Sequence, residues 1–247
     1  MKIKEFFAKF FEKFLFGTKW RCNLCGREIF DGEYFCEDCI KTLPFNDGAI
    51  CSHCGRKTIL PEEYCLTCKG NLTSIDKGRS CFNYEGSVRK LITGAKYYGK
   101  KYLLEVFSEY LYSVYCKNLF AVDYLTYIPM TTKAQRKRGY NQSKVLCELL
   151  SEKVRVPVFD GVVKKKETKR QAKLDRSQRL KNLDGAFRIE DKKVIKGKSV
   201  LIVDDVTTTG ATAEAMAKKL KSAGASKVYL ITVASVGVSN NKIKKRG

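Results

Sequence analysis

The segment Val200–Ala213, VLIVDDVTTTGATA, constrains the fold of this chain more than any other stretch. Val200 to Val203 are four consecutive apolar residues, the pattern of a short strand buried on both faces, as in parallel sheets. The carboxylates Asp204 and Asp205 are expected where that strand ends. Thr207, Thr208, Thr209, Gly210, Ala211 and Thr212 follow, with a helical pattern beginning near Thr212. Three successive β-branched threonines are poor helix and turn formers, so local preference alone does not account for them. N–H groups at a helix start, together with threonine hydroxyls, can surround a phosphate. The acidic pair can accept hydrogen bonds from ribose hydroxyls, and Gly210 permits close backbone approach or a positive φ. The chemistry is that of a phosphorylated sugar. The chain has no GxxxxGK[ST] and no GxGxxG after a strand, which removes the main support for the two commoner nucleotide loops.

A second constraint is an internal repeat. CNLCGREIFDGEYFCEDC carries Cys22, Cys25, Cys36 and Cys39, and CSHCGRKTILPEEYCLTC carries Cys51, Cys54, Cys65 and Cys68, each position 29 residues after its counterpart. Each CxxC turn presents two thiolates to one tetrahedral ion, and Gly26 and Gly55 permit the tight turn after it. The ten-residue interval between inner cysteines suits one structural zinc per copy, although cross-bracing between copies also satisfies the count. His53 is the chain's one histidine, so Ser-His-Asp and Cys-His chemistry is excluded elsewhere; it reads as a surface or supporting residue of the second knuckle. Cys81, Cys116 and Cys147 lie in apolar patterns and read as core residues.

The 247 residues suffice for one α/β domain and a small module. Residues 1–18 are expected as an amphipathic helix, 19–72 as a double zinc ribbon, and 73–247 as the α/β domain. Paired CxxC motifs without a cleavable leader point to zinc in a reducing cytoplasm rather than to disulfides. No 18-residue apolar run exists, so no transmembrane segment is expected. The Phe-rich face of 1–18 leaves peripheral contact with the inner face of the membrane open beside simple packing. A formal net charge of +22 favours polyanionic partners, nucleic acid or phosphorylated metabolites.

From Thr73 onward, strands alternate with helices, the mark of a parallel sheet flanked by helices. Expected strands are Ser80–Tyr84, Tyr124–Met130, Val156–Val163, Val200–Asp204 and Val228–Ala234. Expected helices are Ser87–Tyr98, Lys101–Cys116, Gln142–Val154 and Ala213–Ala223. Ligands of such sheets bind beyond the carboxyl ends of the strands. Two basic loops fall there: Pro129–Gln142, with Arg136 and Arg138, and Lys164–Lys181. In the latter, Lys164, Lys165, Lys166, Lys169, Arg170, Lys173, Arg176 and Arg179 are the candidate nucleic-acid contacts.

RKRGYNQS at 136–143, KYYGK at 96–100, the spaced Thr168–Phe187 pattern and VDDVTTTGAT together resemble the ComF family of competence proteins. The paired Cys₄ repeat is similar to the double zinc ribbon at that family's N-terminus. The acidic and threonine-rich segment looks like the phosphoribosyl-pyrophosphate (PRPP) motif of type I phosphoribosyltransferases. The resemblance implies that fold, and a role in natural transformation (DNA uptake) in which incoming single-stranded DNA is handled at the cytoplasmic side. It implies PRPP with Mg²⁺ at Thr207–Thr212. Asp204 and Asp205 would be the ribose-binding, catalytic pair, and Arg136, Arg138, Lys96 and Lys100 the cations for pyrophosphate. The alternative is an active phosphoribosyltransferase that transfers to a nucleobase or amine and releases pyrophosphate. A third reading makes the zinc module a docking surface for another protein, such as the uptake helicase.

Overall fold

The computed structural model describes residues 21–30, 33–58, 64–65, 68–69, 73–165 and 185–237. The expected N-terminal helix and most of the second basic loop lie outside these residues. The chain divides into two units, Met1–Leu43 and Pro44–Gly247.

The smaller unit holds the first cysteine cluster and α1 (Glu37–Lys41). Arg21 and Glu28 form an antiparallel bridge, the Cys22 N–H donates to the Arg27 carbonyl, and the Gly26 N–H donates to the Cys22 carbonyl. The second copy, in the larger unit, reproduces each of these contacts 29 residues later. Ile50 bridges Lys57, the Cys51 N–H donates to the Arg56 carbonyl, and the Gly55 N–H donates to the Cys51 carbonyl. Gly26 and Gly55 take φ of +77° and +69°, the left-handed turn that the CxxCG pattern demands.

The larger unit is built on a four-stranded parallel sheet. Its strands are β1 (Lys77–Asn83), β2 (Tyr124–Tyr127), β5 (Ser199–Thr207) and β6 (Lys227–Ser235), in spatial order β1-β6-β5-β2. Between them run α2 (Gly86–Tyr97), α3 (Leu103–Lys117), α4 (Thr132–Arg138), α5 (Gln142–Val154), the short α6 (Lys192–Ile195) and α7 (Ala211–Ser222). Val200–Val203 are fully buried, as a run apolar on both faces must be. Val200 and Ile202 pack with Val228, Leu230 and the apolar stripe Ala213, Met216, Ala217 and Leu220 of α7. On β5 and β2, α5 packs with Leu146 and Leu150 fully buried.

Three expectations change. The strand Val156–Val163 is divided: Val158 bridges Leu125 in parallel, while β3 (Val162–Lys164) turns away to pair antiparallel with β4 (Phe187–Ile189). Gly161 marks the break, because a Cβ there would meet the Phe159 ring at 2.5 Å. The loop Pro129–Gln142 contains a helix, α4, which Thr131 caps by accepting from the Ala134 N–H and Gly139 ends at φ +85°. Cys81 and Cys147 are buried, and burial pushes both thiols up, but Cys116 is exposed on α3 and is not a core residue. Among the described residues, no helix is long and apolar enough to cross a membrane.

Candidate functional site

Strand β5 continues past the acidic pair. Asp204 lies opposite Thr232, Val206 opposite Ala234 and Thr207 opposite Ser235, so Asp204 and Asp205 stand inside the last turn-ward part of the strand rather than at its end. The chain then crosses Thr208 and Thr209 to Gly210, whose φ is +77°, and α7 begins at Ala211, two residues earlier than the pattern suggested. Gly210 contributes no side-chain cap; the Ala211 N–H donates to Thr209 Oγ1 at 3.4 Å, and a helix start of this kind can turn its remaining first-turn N–H groups toward an anion. Thr208 is exposed. Thr207 is buried, and its Oγ1 has no partner among the described residues.

Two other segments meet the acidic pair. Asn141 caps α5, its Oδ1 accepting from the N–H groups of Ser143 at 3.0 Å and Lys144 at 3.4 Å, while its Nδ2 donates to the Ile128 carbonyl at 3.0 Å. That cap aims Ser143 Oγ at Asp204 Oδ1, 2.6 Å away. From the end of α2, Lys96 Nζ reaches Asp205 Oδ2 at 2.8 Å, both side chains largely buried. Burial pushes the Asp204 carboxyl up to about 7, helped by the adjacent Asp205 charge and opposed by the Ser143 hydrogen bond and by Lys96. A small cavity lies among Lys96, Gln142, Leu146 and Asp205.

Arg138, at the end of α4, donates to Gln142 Oε1 at 2.9 Å and to the Tyr97 hydroxyl at 3.4 Å, with its guanidinium centre 5.3 Å from the Tyr97 ring centre. Lys96 thus contacts the acidic pair directly, and Arg138 reaches the same cavity only through Gln142, which lines it with Lys96 and Asp205. Arg136 and Lys100 are exposed nearby in sequence, and no described contact ties either to the acidic pair. Lys164 and Lys165 sit at the end of β3, with Lys164 Nζ 6.0 Å from the Phe187 ring centre. Lys166, Lys169, Arg170, Lys173, Arg176 and Arg179 lie outside the described residues.

The eight repeat cysteines form two local sets, Cys22/25/36/39 and Cys51/54/65/68, in each of which all Sγ atoms lie within 4.8 Å of one another. Grouping is therefore within each copy, not cross-braced. Cys25 and Cys36 are 3.8 Å apart, as are Cys54 and Cys65. A tetrahedral ion with Zn–S bonds of about 2.3 Å requires S···S edges of about 3.8 Å, so the donor sets fit two structural zinc ions. His53 supports the second knuckle, stacking on Tyr64 with ring centres 4.5 Å apart and placing Nδ1 3.0 Å from the Ile75 carbonyl.

Arg56, which the sequence offers only as part of CxxCGR, joins the second knuckle to the threonine loop. It is 6% exposed, and it donates from Nε to Cys54 Sγ at 3.1 Å and from Nη2 to the Thr208 carbonyl at 3.0 Å. Ser143 and Gln142 were inside a quoted motif; Arg56 had no local signal, since its partner is 152 residues away.

Comparison with known proteins agrees with this architecture. A double zinc ribbon domain family matches residues 13–69, and the phosphoribosyl transferase domain family matches residues 141–246. Competence protein F of Haemophilus influenzae is 28% identical over 202 residues, covering 79% of this chain and 86% of the relative. DNA utilization protein YhgH of Escherichia coli is 27% identical over 85% of this chain and 94% of its own length. Competence protein ComFC of Bacillus subtilis is 25% identical over 81% and 84%. The chain thus joins a double zinc ribbon to a phosphoribosyl transferase domain and is similar, over most of their length, to the competence proteins of the ComF family.

Proposed function

We propose that this chain serves DNA uptake in natural transformation, handling incoming single-stranded DNA on the cytoplasmic side, and that it binds PRPP through the segment 204–212. The observation that carries the PRPP reading is the convergence of three sequence-distant segments: Lys96 on Asp205, Ser143 on Asp204, and Arg138 alongside. Asp204 and Asp205 would accept the ribose hydroxyls. The first-turn N–H groups of α7 and the loop Thr207–Thr212 would take the 5′-phosphate. Lys96 and Arg138 are the cations for pyrophosphate, with Arg136 and Lys100 at the periphery, and Mg²⁺ would supply charge neutralisation of the pyrophosphate when bound. Lys96 already neutralises Asp205, so the polyanion would meet a site whose two carboxyls are not both bare.

The strand-handling reading draws on the +22 charge and on relatives named for competence and DNA utilization. Isothermal titration of the zinc-loaded protein with Mg²⁺ and PRPP tests the ligand. Binding is expected for wild type and lost in the Asp204→Asn/Asp205→Asn variant; no wild-type binding, or full binding by the variant, refutes it. Transformation frequency in a strain carrying only that double substitution tests the link to DNA, and unchanged frequency breaks it.

A further inference from the structure

Helix α2 runs out of the acidic site directly into an unusual surface. Its last residue Tyr97 is 56% exposed, Tyr98 is 73% exposed, and Tyr102 is 38% exposed. Gly99, at φ +68°, turns the chain between them, and Lys100 and Lys101 are both exposed. Large apolar residues normally stand alone on a surface, whereas here three aromatic rings fall within six positions. Cations already sit on rings of this neighbourhood: Arg138 is 5.3 Å from the Tyr97 ring centre, and Lys101 Nζ is 4.6 Å from that of Tyr140. Tyr140 is itself fastened to α2, donating its hydroxyl to the Ala95 carbonyl. The stretch KYYGKKY has no aliphatic side chain that a lipid interior or an apolar partner groove would reward. It has flat rings for stacking, and ammonium groups between them for phosphates.

We infer that the Tyr97–Tyr102 ridge is the single-strand nucleic-acid platform of this protein, with bases stacked on Tyr98 and Tyr102 and backbone phosphates held by Lys100 and Lys101. Stacking on an exposed aromatic ring and pairing of phosphates with lysines are the two terms by which single strands bind without regard to sequence. Lys96 lies on the same helix as Tyr97 and pairs with Asp205, so the ridge begins at the mouth of the phosphosugar site. The inference rests on the strand-handling reading above, and it gives that reading a place.

The test is fluorescence anisotropy of full-length, zinc-loaded protein with a labelled oligothymidylate across a salt series. Base stacking amounts to about 1–3 kcal/mol per base, so Tyr98→Ala/Tyr102→Ala is expected to weaken binding by roughly 30-fold or more. Tyr98→Phe/Tyr102→Phe, which keeps the rings, is expected to bind within about threefold of wild type. Lys100→Ala/Lys101→Ala should reduce the slope of log affinity against log salt by about 1.4, two phosphates at about 0.7 each. Circular dichroism and zinc content check that each variant folds. Wild-type protein that fails to bind the oligonucleotide refutes strand handling and the platform together. Wild-type binding that the Tyr→Ala pair leaves within twofold refutes the platform alone. Loss of binding to phosphatidylglycerol vesicles in that pair, with oligonucleotide binding intact, would make the ridge a membrane face and overturn the inference.

Discussion

Arg56 offers the sharpest test of how the zinc module and the phosphosugar loop depend on each other. Its guanidinium is buried and makes two hydrogen bonds, to Cys54 Sγ at 3.1 Å and to the Thr208 carbonyl at 3.0 Å. Hydrogen bonds involving a charged group contribute about 1.5–3 kcal/mol each, so removing both costs roughly 3–6 kcal/mol. Relief of the buried charge offsets part of this, and the low end, about 3 kcal/mol, is the expected loss for Arg56→Met, which keeps most of the stem. In urea unfolding of the zinc-loaded protein that is a readily measured change. The repeat supplies its own control. Arg27, the counterpart of Arg56, pairs with Asp38 at 2.7 Å, but the two side chains are 65% and 69% exposed. Arg27→Met is therefore expected to leave stability close to that of wild type. Hydrogen exchange should quicken at residues 206–212 in Arg56→Met and stay unchanged there in Arg27→Met, and PRPP affinity should fall on the order of tenfold in the former only. Equal stability losses in the two variants, or unaltered exchange at 206–212 in Arg56→Met, would refute the claim that Arg56 holds the loop.

Two further outcomes follow from the same geometry. A Cβ on Gly55 would meet the Arg79 backbone at 2.5–2.7 Å, whereas one on Gly26 would meet nothing within 4 Å. Gly26→Ala should therefore show only the strain of its positive φ, about 1 kcal/mol. Gly55→Ala should cost at least twice that in thermal unfolding, and equal costs would contradict the packing described. Separately, Asp204 is held up at about 7 against an ordinary value of 3.8, so the folded protein keeps a proton that the unfolded chain gives up. Between about pH 4 and pH 7 the native state binds more protons, and the ligand-free protein should lose stability as pH rises through that window, then level off. At about 1.4 kcal/mol per tenfold change in proton affinity the ceiling is roughly 4 kcal/mol. Asp204→Asn should flatten this part of the stability profile, and an unchanged slope in the variant would rule Asp204 out as its source.

What was legible in the sequence was whatever local pattern alone could encode. The bounds of α5 match expectation at Gln142–Val154 because Asn141 is a recognisable cap and the apolar spacing of Leu146 and Leu150 is regular. Val200–Val203 read correctly as a strand because so short a run of apolar, mostly β-branched residues suits a strand covered on both faces. What was not legible depended on partners far away in the chain. Strand β5 keeps Asp204 to Thr207 because β6 extends opposite them, and no local pattern favours strand over turn for that stretch. Helix α4 has no apolar stripe to betray it; Thr131 and Gly139 set its ends, and a run of cations fills it. The chain's two zinc-binding copies read as equivalent, yet their arginines differ in everything that matters energetically, since one is in solvent and the other is buried against Thr208.

The raised Asp204 carboxyl also gives the PRPP reading a signature independent of turnover. At pH 7 a group titrating at about 7 is roughly half protonated. The Ser143 hydroxyl and the Asp205 N–H both donate to Oδ1, at 2.6 and 2.9 Å, and already favour the ionised form, but burial and the Asp205 charge prevail. A ribose hydroxyl that donates to the same carboxylate, with Mg²⁺ and the site cations offsetting the neighbouring charge, would shift the balance toward ionisation. Binding should then release up to about half a proton at pH 7, and almost none at pH 9, where Asp204 is ionised before the ligand arrives. Titrations in buffers of differing ionisation enthalpy measure that number directly. Protons from the phosphates of PRPP itself are subtracted with Asp204→Asn, which retains a polar side chain of the same shape but has nothing to titrate. A release that is identical in wild type and variant would mean that the sugar does not touch Asp204, and the ribose would have to be placed elsewhere in the site.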